Sequence, residues 1–143
     1  MRAAASFVVI GAMAAGCSSS YKGLSKADFV TQANAICTQA NQDTEAYAKE
    51  LPKNPTPEDV AQLFKKAVPV INHELDEIQA LKPPKADRDR VKAIIDETRA
   101  EAKSFETQLE ADPKKALSGT DPLKKSEDDA KAYGLSVCGS STS

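Results

Sequence analysis

The sequence is poor in the residues from which most enzyme and metal sites are built. Its 143 residues include one His, three Cys and no Trp, and aromatic residues make up only 5%. A lone His cannot supply a zinc centre, which takes three or four protein ligands, and it leaves a triad without partners. The formal net charge of −2 excludes a strongly basic nucleic-acid binder, whose phosphate contacts need an excess of Lys and Arg. Long apolar runs are missing as well. The most apolar stretch, Ala3 to Ala15, falls short of the about 20 residues of a membrane span. What is present is an ordinary globular balance, 41% hydrophobic and 28% charged, at a length suited to one domain.

The short apolar stretch has a role of its own. Arg2 precedes it, Phe7, Val8, Val9 and Ile10 form its centre, and small residues end it, as in a secretory signal. Ala14-Ala15-Gly16-Cys17 resembles a bacterial lipobox, in which the Cys thiolate is the nucleophile that accepts a diacylglycerol. Ala14 stands where that motif commonly carries Leu. The resemblance implies cleavage before Cys17, lipidation of its sulfur and often acylation of the new amino terminus. An ordinary cleaved signal with an incidental Cys is the plainer alternative. Residues 1–16 are read as signal peptide, 17–25 as lipidated Cys and polar tether, 26–138 as the folded domain and 139–143 as a disordered tail. Cleavage removes only Arg2 and moves the charge from −2 to −3. An acidic body gains nothing from anionic headgroups. Acyl chains, at about 0.8 kcal/mol per buried methylene, must then hold the protein on the outer face of the cell membrane.

With Cys17 lipidated, Cys37 and Cys138 remain, one near each end of the body. An oxidising exterior favours a disulfide between them, worth on the order of 4.7 kcal/mol for a loop of about 100 residues by chain entropy. Two free buried thiols or a redox pair are the alternatives. The chain has no CxxC spacing, so redox chemistry is the weakest of the three.

The body reads as helices throughout. The first opens on Ser25-Lys26-Ala27-Asp28, a capping-box spacing, and carries Phe29, Ala33, Ile36, Ala40, Tyr47 and Leu51 as an apolar stripe with Cys37 at its edge. Pro52, Pro55 and Pro57 close it. The second has Thr56 as N-cap, Pro57 in the first turn, and Glu58 and Asp59 at the positive dipole end. Its stripe is Val60, Phe64, Ala67, Val68, Ile71, Leu75, Ile78 and Leu81. The stripe keeps its phase across Pro69, which predicts one kinked helix rather than two. The third helix runs from about Asp87 to Ala111 with Val91, Ile95, Thr98, Ala102, Phe105 and Leu109 inward. Lys114 to Asp121 reads as a loop with room for one helical turn. The last helix takes Asp121 as cap, turns Leu123, Ala130 and Tyr133 inward, and ends at Gly134, placed for a left-handed cap. Leu135 and Val137 then fold back and carry Cys138 to its partner. The pattern predicts an all-α fold, an antiparallel four-helix bundle.

The lipobox Cys, the polar tether, "FVTQANAIC" on the first helix and "AKAYGLSVCG" at the end together resemble a group of small exported lipoproteins of high-GC Gram-positive bacteria. The resemblance implies an all-helical fold whose two late Cys are paired. It implies location and architecture, and no biochemical activity.

Candidate chemistry is thin, and no catalytic residue, metal site or cofactor is predicted. His73 points away from the stripe toward Asp76 and Glu77, the pattern of a solvated His beside a carboxylate. The run Glu127, Asp128 and Asp129 reads as a solvated helix face. Lys114, Lys115, Lys124 and Lys125 are candidate contacts for acidic polymer or anionic lipid. Tyr47 and Tyr133 are expected to fill the core near the two Cys, with a ring-stacking ligand pair as the sharper alternative. Two functions follow. One is a monomeric, non-catalytic interaction or structural module that docks to another envelope protein and shows an exposed patch. The other is a small-molecule or lipid carrier with a deep apolar pocket between the second and third helices, beside Pro69.

Overall fold

The computed structural model describes residues 21–140. The signal peptide at 1–16, the lipidation site Cys17 and the end of the tail, 141–143, lie outside the described residues. Those described are all-helical, with no strand among them.

Helix α1 spans Lys26–Ala48. Ser25 Oγ accepts the Asp28 N–H at 3.1 Å and donates to the Asp28 carboxylate at 2.6 Å, so the predicted cap forms. Phe29, Ala33, Cys37 and Ala40 are buried. Cys37 therefore sits on the centre line of the stripe, and Ile36, half-buried, is its edge. The helix ends at Ala48, before Leu51, which lies in the following turn. Tyr47 is not core. It is half-buried with Lys66 Nζ 5.9 Å from its ring centroid. Ten residues along a helix put it about 15 Å from Cys37, and its phenol tip favours contact with water.

Helix α2 spans Pro57–Ala80. Thr56 Oγ1 accepts the Asp59 N–H at 3.2 Å, and Asp59 Oδ2 accepts the Thr56 N–H at 2.8 Å. Asp59 thus closes a full capping box, beyond the dipole role read from the sequence. The helix is continuous through Pro69, which is exposed. Ala67, Leu75 and Ile78 are buried, whereas Phe64, Val68 and Ile71 on the same stripe are only half-buried.

Helix α3 spans Arg88–Ala111 and buries Val91, Ile94, Ile95, Ala102, Phe105 and Leu109. Phe105 meets Phe64 edge to face, ring centroids 4.9 Å apart at 85°, a geometry worth about 0.5–1.5 kcal/mol beyond area burial. The α2–α3 connection also receives the start of the described chain. Tyr21 OH donates to the Pro83 carbonyl at 2.7 Å, and the Leu24 N–H donates to the Lys82 carbonyl at 2.9 Å. A Cβ on Gly23 would come within 2.3 Å of the Pro83 oxygen. Positions 21–25, read as tether, are thus laid against the body.

Asp112 ends α3 and opens α4, Pro113–Leu117, by accepting the Lys115 N–H at 3.0 Å. This is the one helical turn for which the loop had room. Helix α5 spans Lys124–Tyr133 and starts later than the Asp121 cap predicts. Asp121 Oδ1 accepts the Leu123 N–H at 3.0 Å, closing a turn instead of a helix. The α5 amino end is met from α3, where Glu101 Oε2 accepts the Ser126 N–H at 3.3 Å. Gly134 is the expected left-handed cap, at φ 115°. Leu123 is half-buried, while Ser126, Ala130 and Tyr133 are buried.

The chain then turns back as predicted. Leu135 is buried, and Cys138 is disulfide-bonded to Cys37 across 101 residues with a Cα–Cα distance of 5.0 Å. Gly139 and Ser140, assigned above to a disordered tail, belong to the fold. Gly139 is buried, and a Cβ there would meet the Glu127 carbonyl at 2.5 Å. Ser140 Oγ donates to the Ser136 carbonyl at 3.0 Å. Helix α2 packs on both α1 and α3, α3 packs on α5, and α4 rests on α2 and α3. No described helix is long and apolar enough to cross a membrane.

Candidate functional site

Helix α2 faces a cavity of about 290 Å³. Phe64, Ile71, Leu75 and Ile78 line it from α2, Val91, Ile94 and Ile95 from α3, Ala40 from α1, Ala130 from α5, and Leu135 beyond it. Ligand sites of this kind have mostly apolar walls and a few polar groups that fix orientation. An apolar cavity of about 150 Å³ already accepts benzene. The space here is large enough for a small molecule with a ring or short chain.

Of the uncharged polar side chains in the wall, the Thr44, Thr98, Ser126 and Ser140 hydroxyls are bonded locally, and the Asn41 amide has no side-chain hydrogen bond among the described residues. Thr44 Oγ1 donates to the Ala40 carbonyl at 2.8 Å, Thr98 Oγ1 to the Ile94 carbonyl at 2.9 Å, and Ser126 Oγ to the Leu123 carbonyl at 3.0 Å. These hydroxyls are satisfied by their own backbone. Glu127 lies 4.0 Å from Lys131. Glu74 differs. It lines the cavity half-buried, and it has no hydrogen-bond or ion-pair partner among the described residues. Burial, and secondarily the charge of Glu77, push its carboxyl up to about 7, because removing a carboxylate from water disfavours its ionised form.

Glu74 also stands beside the cross-link. Its carboxylate and the sulfurs of Cys37 and Cys138 lie within 4.8 Å of one another. With the sulfurs bonded to each other there is no thiolate to ligate a metal, and one carboxylate falls short of a zinc site. The cluster is a carboxyl against a disulfide wall, and Cys138 is part of the cavity lining.

Of the residues singled out in the sequence, the structure unites Cys37 with Cys138. It does not gather the rest. Pro69 is exposed and does not line the cavity. Tyr47 and Tyr133 do not form a stacking pair. Tyr47 lies beside Lys66, whereas Tyr133 is buried against Phe29, ring centroids 6.1 Å apart, and donates to Asp87 Oδ2 at 3.0 Å. Burial, then the Asp87 hydrogen bond, push the Tyr133 phenol up to about 12. Lys124 pairs with Asp128 at 2.8 Å, and Lys125 with Glu97 at 2.6 Å and Asp129 at 3.0 Å. These contacts hold the lysine charges against acids of the same protein, and hydrogen bonding to Glu97 and Asp129 raises the Lys125 pKa. His73 is exposed, 3.8 Å from Glu77, and Asp76 pairs instead with Arg99 at 2.7 Å.

Sequence reasoning missed Glu74. The signal was present: Glu74 follows Ile71 by three residues and precedes Ile78 by four, so it falls on the apolar face. A charge on an apolar stripe calls for a partner or a cavity. No protein-family model, curated protein or solved structure matches the chain.

Proposed function

We propose that the protein is a lipid-anchored, extracytoplasmic binding protein for a small apolar molecule, built as an antiparallel four-helix bundle and tethered through Cys17. The observation that carries this reading is the cavity of about 290 Å³ with apolar walls from α1, α2, α3 and α5. A docking module for another envelope protein calls for an exposed patch. Leu117 is the one exposed large hydrophobic among the described residues, and Lys124 and Lys125 are paired. The balance therefore favours the carrier. Its site differs from the one read from the sequence: the cavity is shared by four helices, and Pro69 is not in its wall.

Calorimetric titration of the purified full chain with 2-phenylethanol, against a detergent blank, tests the reading. Saturable binding is expected, and it should weaken at least tenfold in T98L, which fills the cavity with a larger apolar side chain. Absence of saturable binding, or equal binding to the filled variant, would overturn it and leave the docking module as the reading to pursue.

A further inference from the structure

We infer that the cavity is selective for an apolar molecule carrying one ammonium group, and that Glu74 is the counter-charge that receives it. This deepens the binding reading above and rests on it. The inference stands on the placement of a single acidic side chain. Glu74 opens into an otherwise apolar chamber, lacks a partner among the described residues, and is walled on one side by the Cys37–Cys138 disulfide. An unpaired carboxylate in such a place is costly, and it is relieved by taking a proton or a cation. The other polar lining groups do not compete. The Thr44, Thr98 and Ser126 hydroxyls are bonded to their own helices. Asn41 adds only a neutral amide to the wall.

Among the described residues, no cation is placed to do the same work. The charged groups around Glu74 are acidic: Glu77 on its own helix, and Glu127 from α5, which has Lys131 at 4.0 Å. Helix α1 contributes Asn41 and Thr44, and α3 contributes Val91, Ile94, Ile95 and Thr98, none of which titrates. The segment after α5 contributes Leu135, Cys138 and Ser140, with the sulfur locked in the disulfide. An arriving ammonium would therefore meet an uncontested negative site. Volume restricts the rest of the molecule. About 290 Å³ suits a free amine with one ring or a short chain.

The raised carboxyl of Glu74, at about 7, gives the interaction a pH signature of definite sign. The ammonium binds the ionised form, so affinity falls as pH drops below that value. At pH 5 only about one molecule in a hundred is ionised, and the apparent affinity should be about 100-fold weaker than at pH 8.5.

The test compares two isosteric probes, 2-phenylethylammonium and 2-phenylethanol, titrated calorimetrically into the full chain and into Glu74→Gln. The expected result has three parts. The ammonium binds at least tenfold tighter than the alcohol at pH 8.5, loses that advantage at pH 5, and loses it in E74Q while the alcohol is retained. If the alcohol binds but the ammonium shows no preference that depends on Glu74, the counter-charge is overturned and the binding reading survives. If neither probe binds, both fail. Retained alcohol binding by E74Q also shows that the variant is folded.

Discussion

Asn34 holds Val137: its side-chain Oδ1 accepts the Val137 N–H at 3.0 Å, while its Nδ2 donates to the Gly134 carbonyl at 3.4 Å. One amide on α1 thus spans the turn that delivers Cys138 to Cys37. The covalent link and the polar clamp act on the same segment, from the same face of α1.

Two restraints on one segment should not be additive. Asn34→Ala should cost about 1–2 kcal/mol, since it leaves a backbone donor without its partner. Replacing Cys37 and Cys138 together by Ser should cost several kcal/mol, up to about 4.7 by chain entropy. The triple variant should lose more than the two losses combined, because either restraint alone keeps the segment docked. Urea unfolding of the four proteins measures this, and simple additivity would show that the restraints act independently.

Glu74 should make stability fall as pH rises. Its folded pKa, about 7, exceeds its unfolded value, so the folded protein holds the extra proton between the two. Stability is then highest below about pH 4.5 as far as this group is concerned, and is lost as pH climbs to about 7. The loss should be on the order of 1–2 kcal/mol once screening by the solvent that reaches a half-buried group is allowed for. Glu74→Gln should flatten the slope and exceed the wild type in stability at pH 8. Denaturant midpoints at pH 5 and pH 8 decide the matter, and parallel profiles would remove the cost of ionisation assigned to this carboxyl.

Gly134→Ala should destabilise by about 1–3 kcal/mol, as the position sits at φ 115°, where a side chain is strained. Space is not the obstacle, since a Cβ would lie 3.5 Å from Val30 Cγ2, an ordinary contact. Thermal melting reads the effect directly, and an unchanged midpoint would mean that the turn relaxes at no cost.

On the proposed anchor, Cys17→Ala should release the protein from membranes into the medium. Fractionation of cells expressing the variant checks this, and continued membrane association would refute attachment through that residue.

The helices of this protein were legible in its sequence because their caps and stripes are local. Ser25, Thr56 and Gly134 each act within a few residues of where they stand. Val91, Ile95, Ala102, Phe105 and Leu109 repeat at helical spacing on α3. What was not legible depended on partners far along the chain. The α5 amino end receives Glu101 of α3 as well as the nearby Asp121, which closes a turn before the helix. Cys37 proved central and Tyr47 peripheral because the neighbouring helices, rather than the spacing on α1, decide which part of a stripe is covered. The site was hidden for a related reason. Half-buried Phe64 and Ile71 read in the sequence as ordinary core, and only the arrangement of four helices leaves the space they face.

The two hydrogen bonds from Tyr21 and Leu24 to the α2–α3 connection bear on how the body would stand at a surface. Between Cys17 and Tyr21 the chain can reach at most about 14 Å, at roughly 3.6 Å for each residue step. A protein held by lipid at Cys17 would sit low on the bilayer, with Tyr21 at its foot against the α2–α3 connection. Its cavity would then sample molecules leaving or entering the headgroup layer more often than those in the bulk.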